Sequence, residues 1–400
     1  MTREFTKILA FAYDHCDDDP LKLLLQQQHY PDIDLREVAQ QLEGLRQAST
    51  KWPTLAQCKA YYYPPRLNRE QSSSEATARH KARLFAQLGG GSFADLTGGM
   101  GVDTYFMAQV AAHADYYEVD GGLCATTEYN FAALGADNID CHCADSLSPS
   151  TTLATHDLIY IDPARRDRQG HRVAAFEDCT PNLLEHLDML RQKCRHLLVK
   201  ASPMVDIHTA VRQLGVVSDV HVVEADGECK EVLFVVPGAD RETKEPSIHC
   251  TDLGGHGNTQ EVRERVFTWS EEANATPSFA NEVEGYLYEP SPSLMKGGCY
   301  NSICAWYGIK KLARNTHLYT DSQLEADFPG RVFDVLQPLT LNAKEVRRAI
   351  PEGKAHVVVR NYPMAANELQ KKLGLREGGE LFVIATTLGQ RRQGWLCKSL

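Results

Sequence analysis

Apolar and polar residues follow a regular strand-and-helix order between residues 92 and 237. The pattern predicts strands at SFADLT, ADYYEVD, NIDCHCAD, DLIYID, HLLVKAS, DVHVVEAD and KEVLFVVP. Between the first six, helical periodicity marks TYFMAQVAA, CATTEYNFAAL, LLEHLDMLRQKC and VDIHTAVRQL. This alternation predicts a mostly parallel, doubly wound α/β sheet with helices on both faces. The loop 227–229 is too short for a crossover helix, so the seventh strand is predicted to be antiparallel.

The N-terminal 75 residues have helical periodicity and lack Val/Ile-rich strands. Helices are predicted near residues 5–13, after Pro20 and after Asp34, and a Pro-Pro pair at 64–65 ends the region. Ser73 or Ser74 is predicted to cap the helix that leads into the first strand. This part of the chain is therefore predicted to be helical.

After Pro237 the sequence becomes polar and glycine-bearing, which indicates a domain boundary. The remainder reads as a smaller α/β unit. Its strands are predicted near VFTWS, EGYLYEP, KAHVVVR and ELFVIATTL, and its helices near LMKGGCYNSICAWYGIKKLA, AKEVRRAI and AANELQKKLG. The predicted domains are 1–75, 76–240, 241–335 and 336–400.

Composition narrows the class of protein. The chain has 400 residues, 43% hydrophobic and 24% charged, as in ordinary globular proteins of two or three domains. The N-terminus carries charges within its apolar stretch, and no segment has the apolar length of a membrane span, so a cytoplasmic protein is expected. The 12 cysteines form no CxxC pair, which favours reduced thiols over disulfides or a zinc site.

Charge is unevenly distributed along the chain. The net charge is -2 over residues 1–75, -15 over 76–330 and +6 over 331–400. A basic segment on an acidic protein is typical of a surface that binds a polyanion, although lysine-rich solvated faces produce the same count.

A glycine-rich turn follows the first strong strand, in Asp95–Leu96–Thr97–Gly98–Gly99–Met100–Gly101–Val102–Asp103. Glycines suit a backbone that turns tightly and passes close to a ligand. Asp95 could accept hydrogen bonds from loop amides or from a cationic amine. A tight turn in any α/β protein can look the same, so the loop alone is weak evidence.

Carboxylates also end the next two strands. Glu118 is the candidate for the two hydroxyls of a ribose, and Asp120 is predicted to cap the following helix. Asp145, followed by Ser146, could accept the exocyclic amine proton of an adenine. The fourth strand ends in Asp162–Pro163, where a carboxylate and a backbone carbonyl could hold the hydrogens of an acceptor amine.

These segments carry a resemblance. DLTGGMGVD, YYEVD, CADS and IDPAR are similar to motifs I to IV of the class I methyltransferases, which use S-adenosylmethionine (SAM) on a Rossmann-like, seven-stranded sheet. The resemblance implies that the cofactor-binding residues are Asp95, Thr97, Gly98, Gly99, Met100, Gly101, Asp103, Glu118, Asp145 and Ser146. DPAR stands where amino methyltransferases have [DNS]PP[FYW]. Asp162, Pro163 and Arg165 are accordingly the predicted catalytic residues, with Arg165 in place of an aromatic that stacks on a flipped base.

EQSSSEATARHKA, DPARR, EPSPSLMKGG and VRNYPMAANELQKKLGLREGGELFVIATTL resemble a family of bacterial methyltransferases that end in a ferredoxin-like unit and a THUMP-like domain. The match runs from about residue 65 to 390. It implies an N-terminal helical region (1–75), a SAM-binding domain (76–240), connecting strands with the ferredoxin-like unit (241–335) and the THUMP-like domain (336–400). THUMP domains in related enzymes bind RNA, chiefly tRNA.

The resemblance favours a SAM-dependent enzyme that methylates a base nitrogen of tRNA or rRNA. Seven side chains are predicted to contact that substrate: Lys200, Ser202, Arg347, Arg348, Arg360, Lys371 and Lys372. Lys354 is a further candidate for phosphate. Two alternatives stay open, namely a protein or small-molecule methyltransferase and a non-catalytic RNA-binding protein that retains the fold.

Several other interpretations are less favoured. The nicotinamide-binding loop of a dehydrogenase would have a third glycine near Thr104, and its reaction does not require an Asp-Pro pair at the end of the fourth strand. His113 and His142 lack the spacing of metal ligands, and no metal is expected. Cys141 and Cys143 should share one face of a strand and need not be reactive.

Overall fold

In a computed structural model, the chain is described over residues 2–163, 176, 182–241, 244–254, 261–388 and 391–400. It divides into two compact units. The first unit is Met1–Ala225, Lys230–Pro246 and Leu253–Val262, and the second unit is Asp226–Cys229, Ser247–Asp252 and Arg263–Leu400. The four-domain division stays a prediction.

The N-terminal region is helical, as predicted. Its helices are α1 Thr2–Asp14, α2 Pro20–Leu24, α3 Leu35–Lys51, α4 Pro53–Ala56, α5 Arg66–Gln71 and α6 Glu75–Gln87. Asp19, Asp34 and Ser74 cap α2, α3 and α6 by accepting hydrogen bonds from backbone N–H groups in the first turn. Of the two serines considered as the α6 cap, the structure therefore selects Ser74.

Seven strands of the first unit form a Rossmann-like sheet. They are β1 Ser92–Asp95, β2 His113–Tyr117, β3 Ile139–His142, β4 His156–Ile161, β5 Cys194–Ala201, β6 Asp219–Ala225 and β7 Glu228–Pro237, whose first two residues fall in the second unit. Their order across the sheet is β3-β2-β1-β4-β5-β7-β6. The β5–β7 pair is antiparallel, as the short loop predicts. The pairs from β3 to β5 are parallel, so the carboxyl ends of those strands lie along one edge.

Helices join these strands where the sequence predicts them, at α7 Val102–Ala108, α8 Gly121–Ala133, α9 Leu183–Gln192 and α10 Ile207–Leu214. Apolar side chains of α6, β1, β4 and β5 form one buried cluster, which includes Phe85, Phe93, Leu158 and Leu198. This packing fixes the carboxyl ends of β1 and β4 next to each other.

The remaining strands are β8 Ser247–Gly254, β9 Glu261–Phe267, β10 Tyr286–Pro290, β11 Lys310–Ala313, β12 Thr316–Asp321, β13 Gly330–Pro338, β14 His356–Arg360, β15 Leu381–Leu388 and β16 Arg391–Ser399. β8 and β9 contain residues of both units and continue the first sheet beyond β6. The second unit has its own sheet, in the order β11-β12-β10-β13-β16-β15-β14. Its helices are α11 Trp269–Asn274, α12 Pro292–Gly297, α13 Ser302–Tyr307, α14 Ala343–Ala349 and α15 Ala366–Leu373.

The prediction of a single helix over residues 294–313 is wrong. Gly298 and Gly308 adopt positive φ angles of 89° and 67° and end α12 and α13, after which the chain enters β11. The strand expected near residue 266 is β9, but it stops at Phe267 because Thr268 starts α11 with a capping box. Among the described ranges, no helix combines the length and the apolar character needed to cross a membrane.

Candidate functional site

Asp95 ends β1 and is buried beneath the glycine-rich turn. Its two carboxylate oxygens accept hydrogen bonds from the Thr97 N–H (3.0 Å) and the Thr104 hydroxyl (2.6 Å). Asp95 therefore ties the start of the turn to the first part of α7. This supports its predicted role in shaping the cofactor loop, while direct contact with a ligand stays a prediction.

Two glycines of the turn are required by close packing. A Cβ on Gly98 would lie 2.0 Å from the Tyr116 ring, and one on Gly101 would lie 2.6 Å from Phe131 and Thr127. Gly101 also has φ 74° and stands at the N-terminus of α7. The turn can thus follow this path only with glycine at these positions, which leaves its backbone close to the strand ends.

Glu118 follows β2 and is fixed by two backbone groups. Its Oε2 accepts from the Gly99 N–H at 2.9 Å and its Oε1 from the Asp120 N–H at 2.8 Å. Asp120 caps α8, as predicted. Val119, between the two acids, is 75% exposed. A carboxylate beside an exposed apolar side chain suits a ribose next to the face of an adenine.

Asp145 and Ser146 follow β3 but differ in their surroundings. Asp145 is exposed, and its Oδ1 accepts from the Leu147 N–H at 3.0 Å. Ser146 is buried, and its hydroxyl donates to the Leu96 carbonyl at 3.0 Å. Ser146 thus links the β3 tip to the glycine-rich turn, and Asp145 is the member of the pair open to a ligand.

A disulfide joins Cys124 in α8 to Cys143 just after β3. This corrects the expectation of reduced thiols throughout. Chain spacing could not reveal the pair, which has a sequence separation of 19, because the chain between the two cysteines folds as a helix and a strand that bring them together. Cys141 is a free cysteine in β3, whereas Cys143 lies beyond the strand end. The bridge connects the segments that carry Glu118 and Asp145.

Reduction of this disulfide should lower stability. Closing a loop of this length stabilises a fold by about 3 kcal/mol, because the crosslink restricts the unfolded chain. We expect the free energy of unfolding, measured with urea, to be lower by about that amount in the reduced protein. Its affinity for SAM should also be lower. The Cys143→Ser variant should match the reduced protein and should not respond to reductant. Equal sensitivity of wild type and variant would assign the effect to another cysteine.

Asp162 stands at the carboxyl end of β4, beside the glycine-rich turn. Its backbone N–H donates to the Thr97 hydroxyl at 2.7 Å, and its carboxylate forms an ion pair with Lys200 of β5. The Asp162 side chain is 28% exposed, so one side of it faces outward. Pro163 is buried. Arg165, the third predicted catalytic residue, lies outside the described residues.

Lys200 belongs to a buried group of charges, which we call the ion cluster and define as Lys81, Asp103, Asp162, Lys200 and Glu231. Lys81 contacts Glu231 at 2.5 Å and Asp103 at 3.3 Å. Burial alone would lower the pKa of Lys200, but the nearby carboxylates, Asp162 foremost, outweigh it and raise that pKa. Lys200 therefore stays a cation beside the Asp162 carboxylate.

Asp103 serves this cluster. Its Oδ2 accepts from the Ser73 hydroxyl at 2.7 Å and from the Tyr160 hydroxyl at 2.8 Å. Burial would raise the pKa of Asp103, but the charges of Lys81 and Lys200 lower it below its usual value. These contacts give Asp103 a structural position at the start of α7. Its assignment as a cofactor ligand stays a prediction.

The pKa of Asp95 is raised from 3.8 to about 7, chiefly by burial. A carboxyl group whose pKa is raised by folding favours the folded state at low pH, and this advantage is lost as pH rises through 7. Relative to Asp95→Asn, wild type should therefore lose up to about 4 kcal/mol of stability between pH 4 and 8. Urea unfolding of both proteins across that range measures the difference. A constant difference would show that Asp95 titrates normally.

The strand tips fit SAM by the chemistry of their donors and acceptors. Asp95, Glu118 and Asp145 present carboxylates at three successive tips, and the packed glycines keep the intervening backbone free of side chains. Glu118 retains acceptor capacity for ribose hydroxyls, because each oxygen receives one backbone hydrogen bond in the structure. Met100 is buried and packs under the turn with Val102 and Phe106.

Sequence reasoning missed Lys81, Glu231, Lys51 and Val119. Lys51, at the end of α3, donates to the Arg69 carbonyl at 2.7 Å. Burial and the nearby charge of Lys200 lower the pKa of Lys51 to about 8. Lys81 sits in the amphipathic pattern of α6 as an apparently ordinary charge. Its full burial follows only from the packing of α6 against the sheet.

The predicted substrate contacts of the second unit lie on two helices and one strand. Arg347 and Arg348 are exposed in the last turn of α14, and Lys371 and Lys372 are exposed in the last turn of α15. Arg360 ends β14 and pairs with the buried Glu289, which also pairs with Arg331. Ser202 follows β5 in the first unit, and its hydroxyl accepts from the Met204 N–H at 3.1 Å. Their substrate roles stay predictions.

Comparisons with known proteins agree with this geometry. Residues 286–329 match a ferredoxin-like domain model and residues 330–399 a THUMP domain-like model. The chain is 25% identical over 323 residues to an uncharacterized S-adenosylmethionine-dependent methyltransferase of Mycobacterium tuberculosis, covering 80% of this chain and 83% of that protein. A solved structure of a proposed methyltransferase from Porphyromonas gingivalis W83 is 29% identical, with a TM-score of 0.86, and the match covers 99% of this chain and 98% of that one. The chain is a SAM-dependent methyltransferase with C-terminal ferredoxin-like and THUMP-like domains.

Proposed function

We propose that the enzyme methylates a nitrogen of an RNA base, with Asp162 as the residue that positions the acceptor. The observation that carries the proposal is the Asp162 carboxylate at the β4 tip. Lys200 pairs with this carboxylate, the Thr97 hydroxyl accepts from the Asp162 backbone N–H, and the side chain is still partly exposed. A base amine must direct its lone pair at the methyl carbon. A fixed acceptor for its N–H hydrogens supplies that orientation.

The chemistry needs little beyond this arrangement. SAM supplies a methyl group on a positively charged sulfur. Held by Asp95, Glu118 and Asp145, it would supply this methyl group to the nitrogen lone pair, with the electrons of the breaking C–S bond returning to sulfur as the N–C bond forms. The amine must then lose its proton, and Asp162 is the group that we assign to accept it. Lys200 holds Asp162 in place and limits its rotation, so the chain acts chiefly by positioning.

An apolar side chain near the β5 tip suits a base. Met204 is 81% exposed and follows Ser202 and Pro203, on the carboxyl edge of the sheet. Its soft thioether and methyl group can pack against an aromatic ring. Met204 is therefore a candidate for the stacking partner that the usual motif supplies through an aromatic residue.

RNA is favoured over other acceptors by the second unit. Its THUMP-like segment is positively charged, with a net charge of +6 over residues 331–400, although the whole chain is negative. The helix ends of α14 and α15 each place two cations in exposed positions, where phosphates can reach them. Arg360 is a weaker candidate, because it is already held in a pair with Glu289, which also contacts Arg331.

Charge reversal at α15 tests the RNA assignment. The Lys371→Glu/Lys372→Glu variant should lose RNA affinity by about tenfold or more at low salt, with a shallower salt dependence, because two phosphate contacts become repulsions. SAM affinity should not change. Filter binding or fluorescence anisotropy with total tRNA and rRNA gives the measurement.

The matched control is Lys22→Glu/Lys59→Glu, which makes the same change of charge at two exposed lysines of the first unit. It should retain RNA affinity. Equal losses of RNA affinity in both variants would show that the effect comes from overall charge and not from this surface. Unchanged RNA binding by the α15 variant would count against this surface and favour a protein or small-molecule acceptor.

A further inference from the structure

Strands β2, β3 and β4 carry neighbouring histidines and aspartates that the methyl-transfer site does not use. His113 and Asp115 are two apart in β2 and so share a face, and the β2–β3 register places Asp115 beside Asp140. His142, in β3, and His156, which begins β4, also reach Asp115. The register of parallel strands, rather than chain spacing, brings these groups together.

Three of the groups have the separations of metal ligands. His113 Nε2 lies 3.6 Å from Asp115 Oδ1 and 4.0 Å from Asp140 Oδ2, and one ligand atom from each residue lies within 4.8 Å of the others. Ligands about 2.0–2.2 Å from a common zinc ion are separated by comparable distances. Imidazole and carboxylate are also ligand types that such an ion accepts.

His156 provides a second, independent indication. Its side chain is buried, with 5% of the residue exposed, and neither ring nitrogen makes a hydrogen bond within the described part of the chain. Its Nε2 nevertheless lies beside the cluster, 3.2 Å from Asp115 Oδ2.

The two neighbouring carboxylates also favour a bound cation. Asp115 and Asp140 are paired across neighbouring strands, where like charges repel. One divalent ion would neutralise the carboxylates of Asp115 and Asp140 and would give a nitrogen of His156 a metal to bind.

We propose that His113, Asp115 and Asp140 bind a divalent transition-metal ion of the zinc type, with His156 as a fourth ligand from the buried side. The site is independent of the methylation proposal, because its ligands lie toward the amino ends of the strands whose carboxyl ends carry Glu118, Asp145 and Asp162. His142 donates from Nε2–H to Asp115 Oδ1 at 2.6 Å and orients that carboxylate. The ion would crosslink three strands of the sheet.

Zinc titration of the full-length protein, after removal of metals by a chelator, tests the site. We expect one equivalent of Zn²⁺ to bind and to raise the melting temperature. Because the chain has free cysteines, Co²⁺ replaces Zn²⁺ in a parallel absorption measurement. Its spectrum should show nitrogen and oxygen coordination without a thiolate charge-transfer band.

His113→Ala and Asp140→Asn remove ligands that are largely solvent-accessible, so both variants should fold and bind SAM normally. Each should weaken Zn²⁺ binding by about tenfold or more and abolish the rise in melting temperature. The matched controls His29→Ala and Asp137→Asn change exposed residues of the same types elsewhere and should bind Zn²⁺ as wild type does. Absence of binding, a thiolate spectrum or equal effects in the controls would overturn the proposal and leave an ion-pair cluster.

Discussion

Replacing Asp162 by alanine is expected to reduce kcat by about 10²–10³-fold while SAM affinity stays within about threefold of wild type. The loss follows because Asp162 orients the acceptor nitrogen, whereas the carboxylates assigned to SAM are Asp95, Glu118 and Asp145. The kcat of Asp162→Asn should lie between those of wild type and Asp162→Ala, since its amide oxygen still accepts an N–H but no longer attracts Lys200. Single-turnover methyl transfer and calorimetric SAM binding separate these quantities.

A matched control for this prediction is Asp188→Ala, an exposed aspartate of α9 with no place at the strand tips. Its activity should equal that of wild type. If Asp162→Ala lost SAM affinity as strongly as turnover, Asp162 would belong to the cofactor site. If it retained full turnover, the acceptor would have to be positioned by other groups.

Replacing Lys81 by methionine is expected to destabilise the first unit by about 3–5 kcal/mol, among the largest effects for one substitution. Lys81 is fully buried between the carboxylates of Glu231 and Asp103. Methionine fills similar space but leaves Glu231 as an uncompensated buried charge. Urea unfolding followed by circular dichroism measures the loss.

The double variant Lys81→Met/Glu231→Leu provides the second half of this test. With both partners apolar, no unpaired charge remains at position 231, so a substantial part of the lost stability should return. Lys398→Met is the surface control, because its pair with Glu380 is exposed and should not measurably affect stability. Additive losses from Lys81→Met and Glu231→Leu would contradict a buried ion pair.

Most of the fold could be predicted because local signals and the global fold agree. Alternating strands and helices predicted the parallel sheet, the short loop 227–229 predicted the antiparallel seventh strand, and Asp120 was predicted as a helix cap. The candidate strand-tip acids were also identifiable, because carboxyl ends of parallel strands meet at one edge. Their ligand contacts stay predictions.

Other features depend on contacts between distant parts of the chain. Lys81 and Glu231 are 150 residues apart, and nothing in either local sequence indicates a buried pair. The Cys124–Cys143 disulfide and the His113–Asp140 grouping arise from helix packing and strand register. In the second unit, β16 was missed because its sequence RRQGWLCKS mixes charges with the buried stretch from Gly394 to Cys397. In each case tertiary packing, rather than local propensity, decides the outcome.

The most direct test of RNA base methylation uses methyl-labelled SAM and total RNA from cells that lack the gene. Wild-type enzyme should transfer label to a tRNA or rRNA fraction, and Asp162→Ala should transfer far less. Nucleoside mass spectrometry should then find one nitrogen-methylated nucleoside that the untreated RNA lacks. Label in no RNA fraction, or label transferred to protein or a small molecule instead, would contradict the proposed function.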